Sequence, residues 1–329
     1  MRCGRDESAG GDARPVKPPL FTLVDIGVRG GIDPRWRRFA DVLHVLAIDA
    51  DENAEPFETA GIPRYEFVCA AVGPRAGAVD LYVTRQEGCS STLRPNHALL
   101  AQFPDASRFD VVRTAKVMAR PLDQLLREHG VDRVDFVKLD TQGSELSILK
   151  ESTSALASAV GVEVEVEFLP LYEGQPLFGE VDGFLRAQGF DLFDLNRGYW
   201  QRSARPAVGR GQLVFADALY FRSAESLVKA SSRAGQSLAN AVLAAAAYGY
   251  LDYGRTLLEW GRQRQVFGTG EAELAMAWLE RACRGSRLMR LMRGVRGVGR
   301  VSRALARVAE ALRPDHWACV DGRLGNTGK

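Results

Sequence analysis

The stretch Asp135 to Lys150, DFVKLDTQGSELSILK, decides the fold. Val134, Phe136, Val137 and Leu139 give an apolar run too short for a helix, and it ends on Asp140 with Gly143 close behind. This predicts a buried parallel strand that stops on a carboxylate and turns at once into a helix. In that helix Leu146, Ile148 and Leu149 form the buried stripe, Ser144 stands at the N-cap position and Glu145 in the first turn, near the positive helix end. Ligands of open α/β sheets sit beyond the carboxyl ends of the strands, so Asp140 points where chemistry can happen; the alternative is a carboxylate that only caps a turn.

Strand and helix signals alternate on both sides of this stretch. Upstream, strands are predicted over Phe21 to Gly27, His44 to Ala50 and Tyr65 to Val72. Pro34 opens a helix carrying Trp36, Phe39, Val42 and Leu43, and a short helix spans Glu52 to Ala60. Val79 to Thr84 reads as an extra strand or hairpin arm, Gln86 to Asn96 as a loop of small polar residues, His97 to Phe103 as a short helix and Val111 to Met118 as an extended piece. Leu122 to His129 is an amphipathic helix closed by Gly130. Downstream, Glu163, Glu165 and Glu167 alternate with Val164, Val166 and Phe168, which puts three carboxylates on one face of a strand. A central strand should not present bare acids to a helix layer. Either it lies near an edge or the later acids extend into a polar cleft. Val181 to Gln188 is helical, and Phe190 to Leu195 and Gln212 to Phe221 complete seven strands, a doubly wound α/β unit ending near Arg222.

Three regions follow: a polar tail at 1–19 expected to be disordered, an α/β domain at 20–222 and a helical extension at 223–329. In the extension, Leu238 to Trp260 is alanine-rich and broken or bent at Gly249 and Gly254, and Ala272 to Ala282 is a second helical stretch. From Leu288 to Leu312 apolar residues recur three or four apart among arginines; ten arginines fall between Arg281 and Arg313. Packing back on the core, pairing of two subunits and contact with an anionic membrane surface are all compatible with that pattern. Nucleic-acid binding is disfavoured, since no base-reading module accompanies the arginines. The whole chain of 329 residues carries a net charge near +2 and five scattered cysteines without metal-ligand spacing. Together with an N-terminus that lacks a signal-type apolar run, this leads to the expectation of a cytoplasmic protein.

The first strand ends Asp25-Ile26-Gly27 and is followed by Gly30 and Gly31, which lets the backbone come close to a cofactor. The second ends at Asp49, a carboxylate able to accept both ribose hydroxyls of an adenosine-type cofactor. The spacing from Gly27 to Gly31 is not that of a dinucleotide fingerprint, and an acid at position 25 would repel pyrophosphate while holding the ammonium of S-adenosylmethionine.

With these motifs the chain resembles the FkbM family of S-adenosylmethionine-dependent methyltransferases, over roughly Val24 to Phe221. Val137 to Lys150 is similar to the family's K-[LI]-D-x-x-G-x-E-x-x-x-L-K pattern, and EVEFLPLYEGQPLF, Glu165 to Phe178, is close to the family's own wording. GCSSTLRPN, Gly88 to Asn96, resembles its small-residue loop. PLDQLL, Pro121 to Leu126, is similar to its T-L-D-x-L-L, with Pro121 in place of threonine. In the first loop Asp25, Gly27 and Gly31 match D-x-G-A-N-x-G, whereas Val28 and Arg29 replace alanine and asparagine.

The resemblance implies a Rossmann-like, seven-stranded, mostly parallel methyltransferase sheet and transfer of a methyl group to a hydroxyl of a sugar, glycan or natural product. It carries over Asp25, Gly27, Gly31 and Asp49 as the cofactor set and Asp140 as the base or hydroxyl-orienting group. Glu165 and His97 are further catalytic candidates, and Ser90, Ser91, Asn96, Glu145 and Tyr172 candidates for substrate contact. Asp140 with Glu165 would suit Mg2+, although two carboxylates do not make a metal site. Two other classes stand beside this reading. One is an adenosine-cofactor oxidoreductase, for which no tyrosine-lysine pair is evident; the other is an inactive methyltransferase-fold module that binds or assembles.

Overall fold

The computed structural model describes residues 21–28, 31–51, 61–202, 211–284, 317–321 and 324. Its main sheet has eight strands in the order β11-β9-β10-β8-β7-β1-β2-β3. They are β1 (Phe21–Ile26), β2 (Leu43–Asp49), β3 (Arg64–Cys69), β7 (Phe136–Leu139), β8 (Gly161–Glu167), β9 (Phe190–Trp200), β10 (Gln212–Arg222) and β11 (Ala318–Val320). The first five strands of this series are mutually parallel, and β10 runs antiparallel between β8 and β9. The chain winds outward from β1 through β2 to β3, then returns to β7 on the other side of β1. The switch point therefore lies between β1 and β7, where such sheets open a ligand crevice.

The eighth strand corrects the expected seven: three residues, 318–320, pair with β9 and cover backbone groups that an edge strand would leave open. The extended pieces upstream of β7 also find a place outside the main sheet. β4 (Ala71–Val72), β5 (Gly77–Thr84) and β6 (Val111–Arg120) form a separate three-stranded sheet in the order β4-β6-β5.

Helices cover both faces of the main sheet. On one face pack α2 (Leu122–Glu128), α3 (Glu145–Glu151), α4 (Thr153–Ser158) and α5 (Phe178–Ala187), meeting Val24, Ile26, Val137, Leu139, Val162 and Val164. On the other lie a 3-10 helix (Pro34–Val42) and the helices that follow the last long strand: α6 (Ala224–Ala230), α7 (Ala234–Ala247), α8 (Leu251–Gln263) and α9 (Glu271–Arg284). A short α1 (His97–Leu100) sits in the β5–β6 connection. Strands buried on both sides explain the near-continuous apolar runs of β1, β2 and β7.

The helices after Arg222 thus share one core with the sheet. Leu238, Val242 and Leu243 of α7 pack with Phe21, Phe136 and Phe221. Helix α7 is apolar almost all round, as a helix sandwiched between a sheet and two further helices must be. It ends at Gly249, whose φ of +79° closes a terminal turn in which Tyr250 N–H donates to the Ala245 carbonyl at 2.8 Å. Gly254, by contrast, lies inside α8 without breaking it. A β-carbon there would stand 2.8 Å from Leu279, so the glycine serves close packing with α9. The predicted helix at 52–60 and the arginine-rich pattern from Leu288 fall outside the described residues, and with them the bases for subunit pairing and membrane contact. Among the described residues no helix is long and apolar enough to cross a membrane.

Candidate active site

A cleft of about 1010 Å³ opens at the switch point. Gly27, Ile48, Asp49, Asp51 and Asp140 line its floor at the ends of β1, β2 and β7, and Ala70, Ala71 and Val72 continue it beyond β3. Its far wall is the β5–β6 hairpin, whose Leu81, Val83, Ala115 and Val117 face inward, with Arg113 on the same row. Ser90, Ser91 and Thr92 close one end.

Gly27 is fixed by sterics. Its φ is +77°, and a β-carbon would stand 1.9 Å from the Asp140 carbonyl oxygen. Asp140 N–H donates to the Ile26 carbonyl at 3.0 Å, tying β7 to β1 across the switch point, and Gly27 N–H donates to the Ile48 carbonyl at 2.9 Å, tying β1 to β2. Gly31 has φ +100° and donates to Val28 at 2.9 Å, so it shapes the loop without lining the cleft. Asp49 accepts the Asp51 N–H at 2.9 Å and lies half-exposed on the cleft floor.

Asp140 is steadied by a residue that sequence reasoning passes over. Gln142, with φ +57°, donates through Nε2 to Asp140 at 2.8 Å and to Glu165 at 2.6 Å. The Tyr172 hydroxyl donates to the Cys89 carbonyl at 2.8 Å and stands 3.0 Å from Gln142 Oε1. Burial, with the charges of Asp140 and Glu167 nearby, pushes the Glu165 carboxyl well above the usual carboxylate range. One amide thus bridges an acid on the cleft floor and a more deeply placed acid.

Several expected contacts have other tasks. Asp25 does not line the cleft. It is 1% exposed, on the strand face that carries Phe21 and Leu23, and accepts from Lys138 Nζ at 3.2 Å. Glu145 is withdrawn from any substrate: it accepts from Thr141 N–H at 2.7 Å, Thr141 Oγ1 at 2.9 Å and Gly143 N–H at 2.9 Å, closing the turn after β7. His97 is exposed at the start of α1 and does not line the cleft. Asn96 caps α1 by accepting from Leu99 N–H at 3.2 Å and donates to the Pro170 carbonyl at 3.0 Å. Tyr172 is fully buried. Ser91 lines the cleft while its hydroxyl donates to the Gln142 carbonyl at 2.8 Å; Ser90 Oγ accepts from Thr84 N–H at 3.1 Å. The polar groups of the small-residue loop mainly stitch that loop to the turn carrying Gln142.

Beneath Asp140 the register sets Asp25, Lys138 and Glu163 side by side on β1, β7 and β8. Burial lowers the Lys138 ammonium, but Asp25, Asp140 and Glu163 outweigh it and hold the group above the ordinary lysine range. The sequence signal for it was a lysine inside a buried strand flanked by acid-bearing strands. Among the described residues no three His, Cys, Asp or Glu are arranged to hold a metal ion. The nitrogen between Asp140 and Glu165 is a donor that would repel Mg2+, so these two acids do not fit a shared magnesium.

The floor does fit S-adenosylmethionine. Gly27 leaves room where a side chain would collide, Asp49 is a half-exposed carboxylate on the floor, and Ile48, Ala70, Ala71 and Val72 line the cleft with apolar surface. The volume is at the upper end of small-molecule sites, enough for a donor and an acceptor together.

Comparison with known proteins bears on the family and the fold. The family described as Methyltransferase FkbM domain matches residues 25–192, about half of the chain. A 2-O-methyltransferase, NoeI of Sinorhizobium fredii (strain NBRC 101917 / NGR234), is 24% identical over 169 residues, covering 49% of this chain and 69% of the relative. Among solved structures, magnesium protoporphyrin IX methyltransferase (ChlM) from Synechocystis PCC 6803, with bound SAM, is 12% identical. The likeness covers 62% of this chain and 71% of that one with a TM-score of 0.32, too distant to bear on the argument.

Proposed function

The chain belongs to the FkbM methyltransferase family, whose methyl donor is S-adenosylmethionine, and from that premise we propose that it methylates a hydroxyl oxygen of a sugar, glycan or similarly hydroxylated small molecule. The observation that carries the reading is Asp140, a cleft-floor carboxylate beside Gly27 and held by the Gln142 amide. The 2-O-methyltransferase relative supports oxygen as the nucleophile. Family membership decides against the oxidoreductase alternative.

When bound, S-adenosylmethionine supplies a methyl group that is already electrophilic, so the protein's work is alignment and proton removal. Gly27, Asp49 and the apolar seat at Ile48 and Ala70 to Val72 hold the donor. Asp140 accepts the hydrogen bond of the acceptor hydroxyl, orients it and takes its proton as the oxygen displaces sulfur from the methyl carbon, with S-adenosylhomocysteine as the leaving group. Glu165 stands beside it on the same Gln142 amide, its carboxyl pushed above the usual carboxylate range by burial. Ser90 and Thr92 face further hydroxyls of the acceptor, Ser91 holds the Gln142 turn behind them, and the hairpin wall excludes water from its apolar side.

The test is transfer from methyl-labelled S-adenosylmethionine to a panel of mono- and oligosaccharides, with Asp140→Asn in parallel. Methyl ether products are expected, with turnover in the variant down by roughly a hundredfold and S-adenosylhomocysteine affinity kept. Full turnover in the variant, or methylation of amines in place of hydroxyls, contradicts the proposal.

A further inference from the structure

One buried ionic cluster holds both ends of the loop that follows β1. At its entry, Asp25 accepts from Lys138 at 3.2 Å. At its exit, Asp33 accepts from Arg35 N–H at 2.8 Å and pairs with the Arg35 guanidinium at 2.8 Å. Arg35 is turned inward, its side chain 6% exposed. It lies 4.2 Å over the ring of Tyr248 and 3.8 Å from Glu163. The Tyr248 hydroxyl donates to Glu163. Glu163 stands next to Lys138 in the β7–β8 register, which closes the circuit to Asp25. Asp25, Asp33, Arg35, Lys138 and Glu163 all lie within the residues matched by the family; Tyr248 does not. It is the last residue before Gly249 at the end of α7, delivered by the helical layer to the ionic cluster beneath the cleft floor.

We infer that Tyr248 is a positioning residue for the donor: from the helical layer it fixes Glu163 and Arg35, and through them both ends of the loop from Gly27 to Asp33. This rests on the cleft being the donor site. Without the tyrosine hydroxyl, the Glu163 carboxylate turns to its remaining partners, drawing Arg35 from Asp33 and Lys138 from Asp25. Both anchors of the loop then shift, and Gly27, which has no clearance against Asp140, moves with them. A hydrogen bond to a charged buried group is strong enough for its loss to be felt at that distance.

The experiment is calorimetric titration of S-adenosylhomocysteine, with thermal melting, on the full chain and on Tyr248→Phe, Glu163→Gln, the double variant and Tyr253→Phe. Tyr253 is the matched control. It lies in the same layer and donates to the Arg222 carbonyl at 2.7 Å, away from the cluster. Tyr248→Phe is expected to weaken binding by about tenfold, while Tyr253→Phe loses thermal stability without losing affinity. In the Glu163→Gln background Tyr248→Phe should add little, because the two changes cut one link. Should Tyr248→Phe fail to fold, Glu163→Gln carries the test, with weakened binding expected. Affinity within twofold of wild type in Tyr248→Phe and Glu163→Gln, or fully additive losses, overturns the inference. Absence of binding to the wild type instead removes the donor-site reading on which it rests.

Discussion

A β-carbon on Gly27 would meet the Asp140 carbonyl at 1.9 Å, in a backbone conformation that L-residues adopt reluctantly. Neither strain can relax alone, because Gly27 and Asp140 are the ends of strands whose hydrogen bonds cross the switch point. Gly27→Ala is therefore expected to lower S-adenosylhomocysteine affinity by roughly a hundredfold, more than a surface alanine ever would, and to lower the melting temperature. Titration and melting of the variant check it; near-normal affinity would mean that donor and glycine do not meet. Gly27, Asp49 and Asp140 were legible in the sequence because an apolar run ending on an acid or glycine marks a strand end. Gln142 was not, since nothing in DTQGSE announces a glutamine at positive φ whose amide spans two strands. The loop residues Ser90, Ser91, Asn96 and Tyr172 were legible as a group. Their hydrogen bonds, which join side chains to backbone, were not, since those of Ser91, Asn96 and Tyr172 reach partners 51 to 83 residues away.

Among elements, β8 carries the sharpest tension between pattern and burial. Its alternation of glutamates and valines was plain, and so was the difficulty of acids facing a helix layer. The resolution depends on partners far along the chain: Tyr248 and Arg35, 85 and 128 residues away, meet Glu163, and the Gln142 amide meets Glu165. Burial pushes the Glu163 carboxyl up to about 7 from an ordinary 4.5, against the pull of Arg35 and Lys138. The folded protein then holds a proton that the unfolded chain releases, so this contribution is fully present below pH 4.5 and is lost as pH rises through about 7. Melting across that range should show the stability of wild type relative to Glu163→Gln falling by something on the order of 3 kcal/mol and then levelling off. Parallel curves for the two proteins would show that Glu163 titrates normally. Helix α7 teaches a related point: its alanines gave its helicity, but only its burial against the sheet reveals that the segment beyond Arg222 belongs to the same core.

At the scale of the molecule, the doubly wound order, the crevice at the switch point and two helix layers follow from alternating strand and helix signals. The three-stranded sheet that walls the cleft does not, because its strands look locally like those of the main sheet. The matched family region ends at 192, yet β10 and the helices after it complete the core, and Tyr248 joins them to Glu163 and Arg35. If the cleft floor binds S-adenosylmethionine through Asp49, calorimetric titration of S-adenosylmethionine and S-adenosylhomocysteine into the wild-type chain and Asp49→Ala shows it directly. Saturable one-to-one binding of both ligands to wild type is expected, with affinity reduced by about tenfold or more in a variant that still melts cooperatively. Equal affinity in the two proteins would place the donor elsewhere, and no binding to the wild type would remove the donor site altogether.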